Sequence, residues 1–363
     1  MKRRNFMKRA GLAAAAGAAS TTLAAPAIAQ ERFELNLVMP WPKGTPGVGV
    51  NAERFVQRVT AMSGGRIVIR LFGAGELVPP FESFDAVQSG SADILHGTPY
   101  FWVGKSKAFN YFTTLPFGLN AIELPAWLTY GGGQALWDEV YAGFGLKPFY
   151  AGSSGVQAGG WFKTEINSIE DLQGLKIRIA GLGGEVMRRI GAVVVLLPPG
   201  EILPSMQSGA IDAAEWIGPW NDVAFGLQKV AKYYYVPAFH EPGPGLELTV
   251  NKARYDAMPA DLQAILQAAA AATAQDTTTD FAYHNIQAFE PLIQDYDVEL
   301  RAFSDEIIAR LGAVTREVAE EIGATDALTQ KVHAPYIDFV RKSAAYQGRF
   351  EETMLRQRRE VWS

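Results

Sequence analysis

A short internal repeat is the feature that most restricts the fold of this chain. Residues 84–93 read FDAVQSGSAD, and residues 203–212 read LPSMQSGAID. Each segment predicts a helix that ends at Gln-Ser, a glycine that caps the helix, and a strand that follows shortly afterwards. A helix-to-strand element that occurs twice indicates two related α/β lobes with a ligand cleft between them.

The periodicity near the start of the chain also predicts an α/β fold. Residues 33–39 alternate apolar and polar side chains like a strand, residues 49–63 have apolar side chains at helical spacing, and residues 66–71 alternate again. A strand, a helix and a strand at this spacing form a βαβ unit.

Beyond residue 250 the pattern changes to helices. Residues 259–289 are rich in Ala, Gln and Leu and contain no Gly or Pro after Pro259, which predicts one long helix, or two joined ones, across both lobes. Residues 304–323 predict another helix. Residues 335–362 predict a third, whose aromatic and aliphatic side chains need a surface to cover them, either on its own lobe or on a second subunit.

The N-terminus has the three-part layout of a secretory signal. An Ala- and Gly-rich run over residues 10–25 leads to Ala27-Ile28-Ala29, a small-x-small cleavage site. The Arg3-Arg4 pair resembles a twin-arginine export signal, although an ordinary signal can also contain two arginines. We expect export to the periplasm. No later stretch is both long enough and apolar enough to be a membrane span. The charged residues that precede the run are all basic: Lys2, Arg3, Arg4, Lys8 and Arg9.

Composition excludes several classes of function. Removal of the five basic residues of the predicted signal lowers the formal charge from −5 to −10, and a phosphate backbone needs a basic face, so we expect no nucleic-acid binding. The absence of Cys excludes thiol nucleophiles and zinc sites of the Cys type. The four His show no His-Glu-x-x-His spacing, and no Gly-x-Ser-x-Gly elbow occurs.

Polar residues in apolar, aromatic and Gly-rich surroundings are the remaining candidates for a site. They are Gln157, Glu215 and Glu241. A carboxylate is costly to bury unless it is paired or binds a cation, but each of these residues can equally be a partly exposed loop residue. Arg178 alternates with Ile177 and Ile179, so periodicity leaves open whether it faces water.

Several longer motifs together resemble the periplasmic solute receptors of tripartite ATP-independent (TRAP) transporters, and in particular the branch that binds 2-oxo acids with a metal cation. This resemblance covers most of the chain and implies a two-lobed periplasmic binding protein fold, no enzymatic activity, and a membrane permease as partner. The motifs that carry it are residues 73–79 (GAGELVP), 100–105 (YFWVGK), 155–162 (GVQAGGWF), 172–178 (LQGLKIR) and 211–219 (IDAAEWIGP).

The resemblance also implies roles for individual residues. Arg178 matches the arginine that clamps the acid's carboxylate, which suits a guanidinium fork. Substrate contacts are implied for Gln157, Tyr100, Phe101, Trp216 and Asn221, and oxygen ligands of a sodium or calcium ion for Gln157, Glu215, Trp216 (main chain) and Glu241. The implied site would contain two negatively charged glutamates, a negatively charged acid and one positively charged arginine. Its net charge is −2, which a divalent cation would cancel.

The sequence departs from the branch at the aromatic run Tyr100-Phe101-Trp102 and at His240-Glu241-Pro242. The acid therefore stays open: pyruvate or a longer 2-oxo acid is expected, with a 2-hydroxy or aromatic acid as an alternative. A hydrolase or lyase that uses Glu215 as base is the competing class. The expected organisation is a signal peptide (1–29), lobe I (30–153 and 240–285), lobe II (154–239) and a C-terminal helical region (286–363) that forms a homodimer.

Overall fold

The computed structural model describes residues 31–362, so the predicted signal over residues 1–29 lies outside the described residues. The strands are β1 (Phe33–Val38), β2 (Ile67–Phe72), β3 (Ile94–Gly97), β4 (Leu146–Ser153), β5 (Gly160–Phe162), β6 (Lys176–Arg178), β7 (Val193–Val195), β8 (Ala213–Ala214), β9 (Tyr233–Tyr235), β10 (Gly245–Asn251) and β11 (Glu299–Arg301). The helices are α1 (Val48–Met62), α2 (Ser83–Ser89), α3 (Phe109–Thr113), α4 (Glu123–Tyr130), α5 (Gly133–Ala142), α6 (Gly181–Arg189), α7 (Pro199–Ser208), α8 (Pro219–Phe225), α9 (Lys252–Asp256), α10 (Ala260–Asp295), α11 (Asp305–Gly323), α12 (Ala327–Gln347) and α13 (Glu351–Trp362).

The strands form two separate sheets, one in each lobe. The first has the order β2-β1-β3-β10-β4, and the second has the order β11-β9-β5-β8-β6-β7. In the first sheet, β1, β2 and β3 are parallel and β10 is antiparallel to β3. In the second sheet, β6, β7 and β8 are parallel and β5 is antiparallel to β8. The two lobes therefore repeat one topology, and the prediction of two α/β lobes is confirmed.

The sequence repeat occupies equivalent places in the two sheets. The helices α2 and α7 end at Ser89 and Ser208, and each is capped by a left-handed glycine, Gly90 with φ 81° and Gly209 with φ 76°. The strands that follow, β3 and β8, each lie between a parallel and an antiparallel neighbour. A side chain with a β-carbon would be strained at either glycine, which explains why both copies of the motif contain one.

Two chain crossings and one long helix connect the lobes. The chain passes from the first sheet to the second between β4 and β5, and it returns between β9 and β10. The long helix α10 packs against β4 and α1 of the first lobe and against α8 of the second. The predicted long helix is thus a single helix, which continues to Asp295.

The C-terminal region differs from the predicted pattern in two respects. Pro335 does not begin a helix: it lies inside α12, and a turn over residues 348–350 separates α12 from α13. The buried Tyr336 packs on Trp127, so α12 belongs to the core. The strand β11 lies in the region that the sequence predicts as helical, and it adds an edge strand to the second sheet. None of the helices over residues 31–362 is long and apolar enough to cross a membrane.

Candidate functional site

Arg178 and Glu215 meet at the carboxyl ends of two parallel strands of the second sheet. Arg178 is the last residue of β6, and Glu215 directly follows β8. The Glu215 amide donates to the Arg178 carbonyl at 2.9 Å, which keeps the two chains in register. Arg178 Nη1 donates to Glu215 Oε2 at 2.8 Å and to the Glu215 carbonyl at 2.7 Å. Ligands commonly bind at such strand ends in α/β sheets.

The guanidinium of Arg178 is buried rather than directed to water. Its side chain is 1% exposed, and its carbon Cζ lies 5.6 Å from the ring centre of Trp216. Arg178 Nη2 has no hydrogen-bond partner within the described chain. Lys176, two residues earlier, is the residue of this strand that faces solvent, near Asp212. The question that periodicity left open is therefore settled, and a buried cationic donor is available for an anion.

Gln157 and Glu241 lie on the two crossings between the lobes. Gln157 lies between β4 and β5, and Glu241 lies between β9 and β10. The Gln157 amide donates to the Glu241 carbonyl at 3.1 Å, and the Ala238 amide donates to the Gln157 carbonyl at 2.9 Å. Because the crossings are bonded to each other, an ion held by both side chains would connect the two segments that join the lobes.

Buried side-chain oxygens without hydrogen-bond partners in the described chain are found on Gln157, Glu215 and Glu241. Over residues 31–362, Glu215 Oε1, both carboxylate oxygens of Glu241, and Gln157 Oε1 lack hydrogen-bond partners, and each of these residues is at most 6% exposed. Buried polar atoms in native proteins are normally satisfied, so these oxygens indicate a bound group. Hard oxygen donors suit sodium or calcium, and the site therefore fits a cation of that class.

His240 belongs to the same cluster, although sequence reasoning assigned it no role. One ligand atom each from Glu215, His240 and Glu241 lies within 4.8 Å of the others. His240 Nε2 is 3.9 Å from Glu215 Oε1, which is too long for a hydrogen bond, and neither ring nitrogen has a partner in the part of the chain described. Its position directly before Glu241 was the available signal.

The electrostatics of the site disfavour two free carboxylates. Burial raises the pKa of Glu241 well above its ordinary range, and the nearby Glu215 carboxylate raises this pKa further. The positive charge of Arg178 acts in the opposite direction. A positive charge placed between the carboxylates would remove most of this cost.

A small cavity of about 30 Å³ adjoins the polar cluster, with room for roughly two water molecules. Tyr100 and Phe101 come from the first lobe, at the carboxyl end of β3, and Gln157 and Trp216 close the cavity from the crossing and the second lobe. Asn221, in α8, is not among the residues that line this cavity; it is fully buried, and its side-chain amide has no partner among residues 31–362. The other lining residues are Trp41, Val48, Thr98, Ser154, Ile217, Pro244 and Leu246.

The fold and this site are those of a two-lobed binding protein with a buried arginine available for a small anion. A family model described as bacterial extracellular solute-binding protein, family 7, matches residues 37–326. The chain belongs to this family.

A monocarboxylate 2-oxoacid-binding periplasmic protein of Nostoc sp. (strain PCC 7120) is 38% identical over 350 residues, which are 95% of this chain and 96% of the relative. Two solved structures are also similar. One is a TRAP transporter solute-binding protein from Bordetella bronchiseptica RB50, with a TM-score of 0.89 and 31% identity over 91% of this chain and 98% of that one. It is a mixed-occupancy dimer with copurified calcium and picolinate in one site.

The other structure is a TRAP periplasmic solute-binding protein from Pseudoalteromonas atlantica T6c with bound sodium and pyruvate. Its TM-score is 0.87 and its identity 34%, over 90% of this chain and 99% of that one. The expectation of a TRAP solute receptor is therefore confirmed. As a member of this family the chain is a receptor and not an enzyme, which removes the hydrolase or lyase alternative.

Proposed function

We propose that this receptor binds a small 2-oxo monocarboxylic acid, such as pyruvate or a slightly longer homologue, together with a sodium or calcium ion. One observation carries the proposal. Arg178 Nη2 and oxygens of Glu215 and Glu241 are all buried, and within the described chain none of them has a hydrogen-bond partner. A 2-oxo acid offers a carboxylate for the arginine and a second oxygen beside it for a cation.

The cavity favours a short, uncharged side chain on the acid. Its volume of about 30 Å³ leaves little room beyond a few heavy atoms, and its walls include Trp41, Val48 and Leu246. The residues that line it contribute no Lys or Arg, so a second carboxylate would have no cationic partner there. These features support a monocarboxylate over a dicarboxylate.

The cation would be held by side-chain oxygens of Gln157, Glu215 and Glu241, with the Trp216 carbonyl as a further ligand. When bound, it supplies positive charge that offsets the two glutamates and polarises the acid's oxygens. Gln157 and Glu241 hold the two crossings together through their main chains, and Arg178 orients the carboxylate. Tyr100 and Phe101 close the site from the first lobe.

The relatives support this combination of ligands. The Nostoc protein is named for 2-oxo acid binding, and the Pseudoalteromonas structure contains sodium and pyruvate. The copurified picolinate of the Bordetella protein favours a small aromatic acid as the second candidate ligand. We infer that the receptor reaches the periplasm through its twin-arginine-type signal, closes its lobes on the acid and delivers it to the TRAP permease.

We also propose that the receptor forms a homodimer through its C-terminal helices. The helix α13 has no buried residue, and Met354, Leu355 and Trp362 are among its exposed side chains. An apolar groove between α11 and α12, lined by residues such as Ile308 and Val340, could accept such a helix from a partner. The dimer described for the Bordetella protein supports this arrangement.

Gentle unfolding of the purified protein, followed by mass spectrometry and metal analysis, tests the function directly. We expect release of one small 2-oxo acid and one sodium or calcium ion per chain. Picolinate or a similar acid would favour the second candidate, and a dicarboxylate would contradict the proposal. Recovery of the acid unchanged after prolonged incubation with the protein is the control for capture without chemistry.

A further inference from the structure

Asp222 lies directly behind the loop that contributes Glu215 and Trp216 to the site. Its carboxylate is fully buried and accepts four hydrogen bonds. Oδ1 accepts from the main-chain amides of Ile217 and Gly218, both at 3.2 Å. Oδ2 accepts from Trp161 Nε1 and from the Tyr234 hydroxyl, both at 3.0 Å. One oxygen therefore holds the loop, and the other anchors the carboxylate to β5 and β9.

The hydrogen bond to Ile217 fixes the direction of the Trp216 carbonyl. The Trp216 carbonyl and the Ile217 amide belong to one planar, trans peptide group, so they point in opposite directions. Because the amide points at Asp222, the carbonyl must point away from it. A negative charge behind the amide also polarises the peptide and increases the electron density on the carbonyl oxygen, which strengthens that oxygen as a cation ligand.

The next peptide connects this loop to the first crossing. The Ile217 carbonyl accepts from the Ala158 amide at 2.9 Å, and the adjacent Gln157 amide donates to the Glu241 carbonyl at 3.1 Å. Displacement of the loop would therefore change the spacing among residues that come from three segments of the chain.

We propose that Asp222 is a positioning residue of the cation site, whose negative charge polarises the Trp216 carbonyl through the shared peptide group. The proposal rests on the proposed function, since it assumes that a cation binds with the acid. A structural role alone is the competing explanation, because Trp161 and Tyr234 also depend on Asp222. The two carboxylate oxygens have different partners, and this allows the two roles to be separated.

The test compares Asp222→Asn in a Trp161→Phe background with Trp161→Phe alone. The side-chain oxygen of Asn can still accept hydrogen bonds from the amides of Ile217 and Gly218. Its NH₂ group, however, would face the Trp161 N–H, so that two donors would meet, and Trp161→Phe removes this clash of donors. Tyr234→Phe is the matched control, because it deletes one hydrogen bond to Oδ2 and keeps the charge.

Calcium and, in parallel, sodium are titrated by calorimetry with pyruvate as the acid, and pyruvate is then titrated at saturating cation. Burial raises the pKa of Asp222 to about 7, so the buffer is held at pH 8, where the carboxylate is charged. We expect the Asp222→Asn variant to bind the cation about tenfold more weakly than its Trp161→Phe background, with pyruvate affinity at saturating cation within about twofold. Tyr234→Phe should lower the melting temperature and leave cation affinity within about twofold.

Two results would overturn the assignment of Asp222: cation affinity within twofold of the Trp161→Phe background, or equal losses of cation and pyruvate affinity. If the pyruvate affinity of the parent protein does not change with either cation, the cation site itself is contradicted, and the role of Asp222 with it. The parent titration therefore distinguishes failure of the proposed function from failure of the role of Asp222.

Discussion

Replacement of Arg178 gives the sharpest test of the acid site. Arg178→Lys retains a positive charge beside Glu215 but loses the fork, so one nitrogen must serve both Glu215 and the acid. A hydrogen bond between charged groups contributes about 1.5–3 kcal/mol. Loss of one such bond to the acid predicts an affinity about 10- to 150-fold weaker, at 1.4 kcal/mol for each factor of ten.

Arg178→Ala should have a larger effect on both binding and folding. The acid's carboxylate would be buried without a cationic partner, which costs about 2–5 kcal/mol and predicts at least a 30-fold loss of affinity. Glu215 would also lose its partner, and removal of one member of a buried ion pair destabilises a protein by about 3–5 kcal/mol. Arg178→Lys is therefore the decisive variant, because it is expected to stay folded.

Isothermal calorimetry with pyruvate measures these effects, and thermal unfolding verifies that each variant is folded. Lys176→Ala is the matched control: it removes a positive charge from the same strand, but its side chain is half exposed and lies near Asp212 outside the site. Its affinity should stay within about twofold of the parent. A folded Arg178→Lys protein that binds within threefold of the parent would refute the role of Arg178 as carboxylate clamp.

Chelator treatment and transfer to a sodium-free buffer should lower the affinity for the acid at least tenfold. Glu215→Gln or Glu241→Gln should make that affinity less dependent on the cation. Calorimetry that shows equal affinity under all of these conditions would exclude a metal. Burial raises the pKa of Glu247 from 4.5 to about 7. Between these pH values the native state therefore holds a proton that the unfolded state has lost. The free energy of unfolding should fall by about 3 kcal/mol as the pH rises through this range. Glu247→Gln should remove that loss in denaturant titrations at pH 5 and pH 8, and an unchanged difference would contradict it. Deletion of residues 349–363 should yield a monomer that still binds the acid, whereas light scattering that shows the parent to be monomeric at micromolar concentration would disprove the dimer.

The sequence was sufficient for the elements whose determinants are local. The repeated Gln-Ser-Gly predicts two helix ends because a left-handed cap depends on glycine itself, and both caps are present. The run of helix formers after Pro259 predicts the long helix for the same reason, since the signal lies in neighbouring residues. Where tertiary packing dominates, this reasoning failed: Pro335 appears as a helix start but lies inside a helix, which the burial of Tyr336 stabilises.

The family resemblance implied that Arg178, Gln157, Glu215 and Glu241 share a site, but only the tertiary structure showed which contacts bring them together. Periodicity could not tell whether Arg178 faces water or the interior. Its alternation with Ile177 and Ile179 shows that it lies on the opposite face of the strand, but not whether that face is covered. The meeting of Arg178 with Glu215 depends on the pairing of β6 with β8, and the meeting of Gln157 with Glu241 depends on two crossings far apart in the chain. Asp222 gave no sequence signal, because its importance comes from the peptide group it holds. Contacts of this kind join residues distant in sequence, and no local pattern records them.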